Sequence, residues 1–218
     1  MRTYSDACGV ARALDVVGER WALLVVRELL LGPKRYTDLA VALPGVSTNI
    51  LGTRLGELEQ TGVLTKRKLP PPTAVTVYEL TPWGRELEPA ILALGRWGAA
   101  TSEGPSTLSF SASSFILSLR TNFSPARARG VTARFAVRLG DERFAGTVDD
   151  GTLAVLRSDD PDVDVEIGGD PKVLASVVYT EATLDAALES GMIAVAGRRD
   201  LLDQIIDCFP LPLGAGSR

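Results

Sequence analysis

The sequence predicts two joined domains: a mostly α-helical first half carrying a single β-hairpin, and an α+β second half in which strands precede helices. Three observations carry this. Apolar residues recur at helical spacing through much of residues 10–61 and 82–97, and alternate strand-like over 131–139. A small, polar run, Ala99-Ala100-Thr101-Ser102-Glu103-Gly104-Pro105-Ser106, separates the two patterns. The length, 218 residues, suits two domains of common size. The expected divisions are a first domain over 1–100, a linker over 101–108, a second domain over 109–212 and a tail over 213–218.

In the first half, residues 10–17 read as a short helix, with Val10, Leu14 and Val17 on one side and Gly18 ending it. Residues 21–31 are nearly all apolar, so this second helix belongs in the centre of its domain, stopped by Gly32-Pro33. Residues 36–43 form a third, with Tyr36, Leu39, Ala40 and Leu43 together. After a tight Pro44-Gly45-Val46 turn, Ser47 caps a fourth helix running to about Thr61, with Gly62 behind it. Leu51, Leu55 and Leu58 mark its buried side, and Asn49, Thr53 and Gly56 fall opposite. Residues 63–69 and 74–80 read as a hairpin, with Lys66, Arg67 and Lys68 leading into a stiff Pro70-Pro71-Pro72-Thr73 tip. Thr81-Pro82 then starts one helix reaching Trp97, its stripe of Leu87, Ile91, Leu94 and Trp97 suited to packing on another helix.

In the second half, residues 109–120 read as a helix. Strands are expected over 131–139, 143–148, 152–157 and 163–167, with Asp149-Asp150-Gly151 turning the second into the third. Helices over 170–179 and 181–190, a strand over 192–196 and a helix over 200–209 complete the chain.

Composition removes several functions. There is no histidine, which excludes Ser-His-Asp and Cys-His catalysis and HExxH metal chemistry. The two cysteines, Cys8 and Cys208, have no close-spaced thiol or imidazole partner for structural zinc and make no disulfide framework. No cofactor, metal or catalytic residue is expected. The acidic run Asp159-Asp160-Pro161-Asp162-Val163-Asp164 lacks an EF-hand glycine and closing glutamate, so it reads as a solvated loop and strand edge. No apolar run approaches the roughly 20 residues of a membrane span. The first residues lack the apolar segment of a signal peptide, so a cytoplasmic location is expected. The net charge of −4 conceals an asymmetry. Residues 1–100 hold 12 Lys/Arg against 10 Asp/Glu, whereas residues 101–218 hold 11 against 17.

A helix, a short turn and a second helix with a small polar N-terminal face is the layout that enters a DNA major groove, and a following hairpin lies along the backbone or minor groove. The first half is thus a winged helix-turn-helix. Asn pairs bidentately with adenine and Arg with guanine, while Lys meets phosphate as a point charge. This assigns base edges to Thr48 and Asn49, and base edge or phosphate to Arg35 and Arg54. Tyr36, Ser47 and Thr53 complete the contact face, and Lys66, Arg67 and Lys68 meet phosphates. Plainer readings stand beside these. Ser47 caps its helix with or without DNA, Arg54 can pair with Glu57 three residues on, and exposed hairpin cations are often only solvated.

The stretch Cys8-Gly-Val-Ala-Arg-Ala-Leu-Asp-Val-Val-Gly-Glu-Arg-Trp21, followed by Arg27-Glu-Leu-Leu-Leu-Gly32, resembles the opening of the HxlR-type winged-helix regulators. Arg35-Tyr-Thr-Asp-Leu39, Leu43-Pro-Gly-Val-Ser47, Leu51-Gly-Thr-Arg-Leu-Gly-Glu-Leu-Glu59 and Tyr78-Glu-Leu-Thr81 continue the resemblance in order. It covers about residues 8–100 and implies a repressor or activator, homodimeric through its terminal helices, on an inverted-repeat site. Glu19 departs from it, standing where the family more often has a smaller residue. Cys8 sits where some members carry a redox-sensing thiol; a small buried residue at the dimer contact is the alternative.

The second half resembles the sterol carrier protein type 2-like fold. The pieces are Asp149-Asp150-Gly151, the 163–167 strand with Gly169-Asp170, Leu184-Asp-Ala-Ala-Leu188 with Gly191, and Ile193-Ala-Val-Ala-Gly197 before Leu201-Leu202. This resemblance implies a sheet covered by helices around an apolar cavity for a hydrophobic small molecule. Phe115, Leu119, Val178, Leu184, Met192, Ile205 and Phe209 would line it, or be plain core. The reading is therefore a ligand-responsive, non-enzymatic DNA regulator. Its alternatives are a lipid or small-molecule carrier that uses the winged helix for docking, and a regulator whose second domain is only a dimerisation arm.

Overall fold

A computed structural model describes residues 3–70, 74–100, 109–180 and 182–211. The expected linker, the expected tail and the hairpin tip Pro71-Pro72-Thr73 lie outside the described residues. The chain divides into two compact units, Met1–Ile91 and Leu92–Arg218.

The first unit contains α1 (Gly9–Val17), α2 (Ala22–Leu29), α3 (Tyr36–Ala42), α4 (Thr48–Gln60), β1 (Leu64–Lys68), β2 (Thr76–Leu80) and α5 (Pro82–Arg85). The boundary falls inside α6 (Glu88–Ala99). Helix α2 is the centre expected of it: Ala22, Val25, Val26 and Leu29 are fully buried, with Leu39 of α3 and Leu51 and Leu58 of α4. Truncating one such leucine costs about 2–5 kcal/mol. Strands β1 and β2 pair antiparallel with Leu64 opposite Leu80 and Lys68 opposite Thr76. A bridge between Lys34 and Tyr78 extends this ribbon, through Lys34 N–H to Tyr78 C=O at 3.1 Å and its return bond at 2.8 Å.

Two expectations are corrected here. The second helix starts at Ala22 rather than at Trp21, whose backbone is left-handed (φ 78) and which stands at the N-cap. The single helix expected over 82–97 is two, α5 and α6, broken at Glu86 and Leu87. Pro89 explains the break: it has no N–H for the Arg85 carbonyl, yet it fits the first turn of a new helix. The stripe on α6 is also less covered than its pattern implies. Leu94 is 51% and Trp97 71% exposed, and no residue of α6 is buried.

The second unit contains α7 (Ala112–Asn122), β3 (Thr132–Leu139), β4 (Glu142–Asp149), β5 (Thr152–Arg157), β6 (Val165–Gly169), α8 (Pro171–Tyr179), α9 (Leu184–Glu189), β7 (Ile193–Gly197) and α10 (Arg199–Ile206). The strands form one mixed sheet in the order β5-β4-β3-β6-β7, with β3 and β6 parallel and the other neighbours antiparallel. Asp150 (φ 39) and Gly151 (φ 91) make the tight turn between β4 and β5, the positive-φ pair that matches strand twist. Along β3, Ala133, Phe135, Val137 and Leu139 are buried, and Phe144, Val155 and Val165 lie on the same face. Helices cover that side: α7 meets β5, α10 meets β6 and α9 meets β7. The opposite face carries exposed Arg134, Arg138, Thr147 and Leu156. No helix among the described residues is long and apolar enough to cross a membrane.

Candidate nucleic-acid interface

Helix α4 owes its orientation to its N-terminal end and its buried face. Ser47, extended at the N-cap, accepts the Ile50 N–H on its hydroxyl at 3.3 Å. Tyr36, the first residue of α3, donates its hydroxyl to the Thr48 carbonyl at 2.7 Å, tying the two helices across the turn. Leu51, Leu55 and Leu58 are buried, so Ser47, Thr48, Asn49, Gly52 and Thr53 turn outward, all exposed. The Thr53 hydroxyl donates to the Asn49 carbonyl at 2.9 Å, which leaves the Asn49 amide free of it. Arg35 stands exposed at the N-cap of α3, its N–H on Asp38 at 3.1 Å and its guanidinium 3.9 Å from that carboxylate.

Arg54 differs from the other candidates. Its side chain is only 12% exposed and is held by Glu57, one turn on, and by Glu19 at 3.8 Å. Its Nε is buried without a partner among the described residues. With its own side chain nearly covered, this guanidinium is less open to a base or phosphate than the exposed candidates around it. Glu19, the departure noted in the sequence, is thus one of its clamps.

On the hairpin, Lys66, Arg67 and Lys68 are all exposed. Lys66 Nζ lies 5.9 Å from the Tyr78 ring centroid, within cation–π reach. Arg67 pairs with Glu79 at 3.0 Å, a carboxylate that Arg85 also approaches at 3.4 Å. Lys66 and Lys68 form no ion pair among the described residues. An exposed pair such as Arg67–Glu79 is worth about 0.2–1 kcal/mol, so a phosphate can displace it.

What fixes the hairpin against the helices is not among the features the sequence reading singles out. Glu28 of α2 is fully buried and pairs with Arg27 at 2.8 Å and Lys34 at 2.9 Å. Lys34 is the residue whose backbone bridges to Tyr78, so one buried carboxylate links the central helix to the wing. The signal is there: a lone acid in a nearly all-apolar helix, with a lysine six residues on. Gly84 of α5 closes the other side, since a Cβ there would sit 2.0 Å from the Val63 carbonyl. A hollow of about 500 Å³ lies behind this junction, lined by Arg12, Ala13 and Val16 of α1 and by Val63, Trp83 and Leu87.

The residues expected around a second-domain cavity divide. Phe115, Leu119, Leu184, Ile205 and Phe209 are buried, and Phe209 stacks against Phe123 at 5.9 Å. Val178 is half-buried, whereas Met192 is 54% exposed before β7 and belongs to no enclosed core. Beside them the Tyr179 hydroxyl lies 2.9 Å from the Ser118 hydroxyl, and burial pushes its pKa up to about 12 despite hydrogen bonds from Ser118 and Asn122. Cys8 is exposed at the N-cap of α1, its N–H on Asp6 at 2.9 Å. Nothing among the described residues buries it.

Comparison with known proteins finds a separate match for each half of the chain. Residues 16–105 match the HxlR-like helix-turn-helix family. Residues 106–212 match the family described as alkyl sulfatase C-terminal, so the sterol carrier protein is not the match found for the second half. An uncharacterized HTH-type transcriptional regulator of Synechocystis sp. is 36% identical over 92 residues, covering 42% of this chain and 68% of its own. A second, YvaP of Bacillus subtilis, is 39% identical over 87 residues, covering 39% of this chain and 80% of its own. Among solved structures, the reduced form of the transcriptional regulator YodB from B. subtilis is 29% identical. It covers 45% of this chain and 97% of its own, with a TM-score of 0.40. The sec-alkylsulfatase Pisa1 from Pseudomonas sp. is 19% identical, covering 45% of this chain and 16% of its own, with a TM-score of 0.41. The first-half motifs from Trp21 onward fall within the matched residues, and both curated relatives are spanned over more than two thirds of their length. Through its first domain, the chain belongs to the HxlR-like helix-turn-helix family.

Proposed function

We propose that this protein is a DNA-binding transcriptional regulator that grips an inverted-repeat site as a homodimer, α4 in the major groove and the β1–β2 wing along the backbone. The observation that carries this reading is the outward face of α4. It is free of acids and, apart from Ile50, small and polar through its first two turns, and the same unit carries three exposed cations on β1. In this reading Asn49 and Thr48 meet base edges, with Ser47 and Thr53 beside them. Arg35, Tyr36, Lys66, Arg67 and Lys68 meet phosphates, and Arg54 holds α4 in shape instead of touching DNA. Exposed Leu94 and Trp97 on α6, with exposed Val10 and Leu14 on α1, support pairing of two copies through terminal helices. The second domain serves as the effector module. Its helix-covered mixed sheet suits the sterol carrier-like reading, and Phe115, Leu119, Val178, Leu184, Ile205 and Phe209 are its candidate contacts with a hydrophobic molecule.

Fluorescence anisotropy of the full chain on its own upstream DNA, across a salt series, tests the DNA-binding claim. Preference over random DNA, with affinity falling steeply as salt rises, is the expected result. Salt-independent binding, or a genome-wide pull-down in which the protein recovers no fragment, would overturn the regulator reading.

A further inference from the structure

Given that α4 reads the major groove, we infer that it reads A·T pairs there, with Ile50 packing on a thymine methyl beside an adenine held by Asn49. Three observations combine. First, the only arginine on α4 is withdrawn: Arg54 is clamped by Glu57 and Glu19 and is 12% exposed. Bidentate recognition of guanine O6 and N7 needs a free arginine or lysine, and α4 (Thr48–Gln60) offers no other. Second, Ile50 is 44% exposed in the first turn, an apolar side chain on the flank of the face that carries Asn49 and Thr53. The thymine C5-methyl is the apolar group that the major groove presents, and burying one methyl against the other removes both from water. Third, Gly52 and Gly56 stand one turn apart on the outward side, and a Cβ at either would meet nothing within 4 Å. Glycine weakens a helix interior relative to alanine, and neither site has a packing reason for it among the described residues. Both leave the helix thin where a groove wall would approach. Asn49, whose amide is free to present its oxygen and nitrogen together, matches adenine N6 and N7.

The test uses the full chain and a half-site recovered by selection from random duplexes. Each thymine is replaced in turn by deoxyuridine, which deletes only the methyl. At one position per half-site, wild-type binding should weaken about fourfold, the effect of one buried methyl. Ile50→Ala should bind the thymine site more weakly and lose its response to that replacement. A selected core of G·C pairs would overturn the inference. So would specific binding that ignores every thymine methyl, or an Ile50→Ala variant that still responds as wild type does. Failure to bind any DNA would overturn the regulator reading and this inference together. Sequence-specific binding without a methyl effect overturns this inference alone.

Discussion

The β1 wing of the first unit and the sheet of the second use their cations differently. In the second, six arginines are spent on acids of the same unit: Arg134 on Asp162, Arg138 and Arg143 on Glu166, Arg157 on Glu142, Arg198 on Asp200 and Arg199 on Asp185. In the first, buried Glu28 and Lys34, with half-buried Arg27, fix the frame. The cations of β1 stay exposed, and only Arg67 has an acid beside it among the described residues. The difference teaches where a polyanion fits. Charge on the second unit is matched by acids across its strands and helix ends, while charge on the wing is left facing water. A polyanion approaching the wing has little to displace.

The largest effect that would break this comparison is at Glu28. Glu28→Ala leaves Lys34 buried without its carboxylate and should destabilise the first domain by about 3–5 kcal/mol, read by chemical denaturation of the full chain. A loss below about 1 kcal/mol would mean that the buried set is not what holds the wing. Next is Asn49→Ala, which should cost about 1–3 kcal/mol of specific DNA affinity while leaving random-sequence binding unchanged. The triple change of Lys66, Arg67 and Lys68 to alanine should act in the opposite manner. It should weaken binding to all sequences and lower the salt slope by about one for each phosphate no longer neutralised.

A smaller effect sharpens the contrast from the other side. Burial raises the Glu166 carboxyl pKa, but the hydrogen bonds and charges of Arg143 and Arg138 outweigh it, and the net shift is below the ordinary value of 4.5. A carboxylate depressed on folding stabilises above its unfolded pKa, and that contribution fades as pH falls through the folded value. Glu166→Gln should therefore cost about 1–3 kcal/mol at neutral pH, the deficit shrinking in acid; a deficit independent of pH would contradict the ion-pair account. Smallest is Tyr179→Phe, which should cost about 1 kcal/mol by removing one buried hydroxyl and its bonds with Ser118 and Asn122.

Much of the first domain is legible because its helices announce themselves through caps and spacing. Ser47, the leucines of α4 and the Gly-Pro stop after α2 act where local chemistry says they should. What is not legible depends on residues brought together from afar. The Arg54 clamp needs Glu19, thirty-five positions away in sequence, and only its Glu57 partner can be read from helical spacing. The Glu28–Lys34–Tyr78 link needs the bend between α2 and α3 to return the chain to the hairpin. The break at Glu86 is within reach of the sequence, since Pro89 denies Arg85 its helical partner. The apolar stripe that runs through it masks the signal. In the second domain alternation marks the strands, but alternation says nothing of strand order, and the parallel pairing of β3 with β6 comes from the crossover between them. Met192 shows the same limit for single residues: its apolar character suggests a lining position, and its place before β7 leaves it in water.

The central claim is that DNA recognition belongs to the first unit alone. Hydrogen–deuterium exchange of the full chain, with and without its selected DNA duplex, tests this most directly. The account predicts slowed exchange at the start of α3, over the first two turns of α4 and along β1, with the strands β3 to β7 unchanged. Protection centred on the sheet of the second unit, with α4 and β1 exchanging as before, would contradict it.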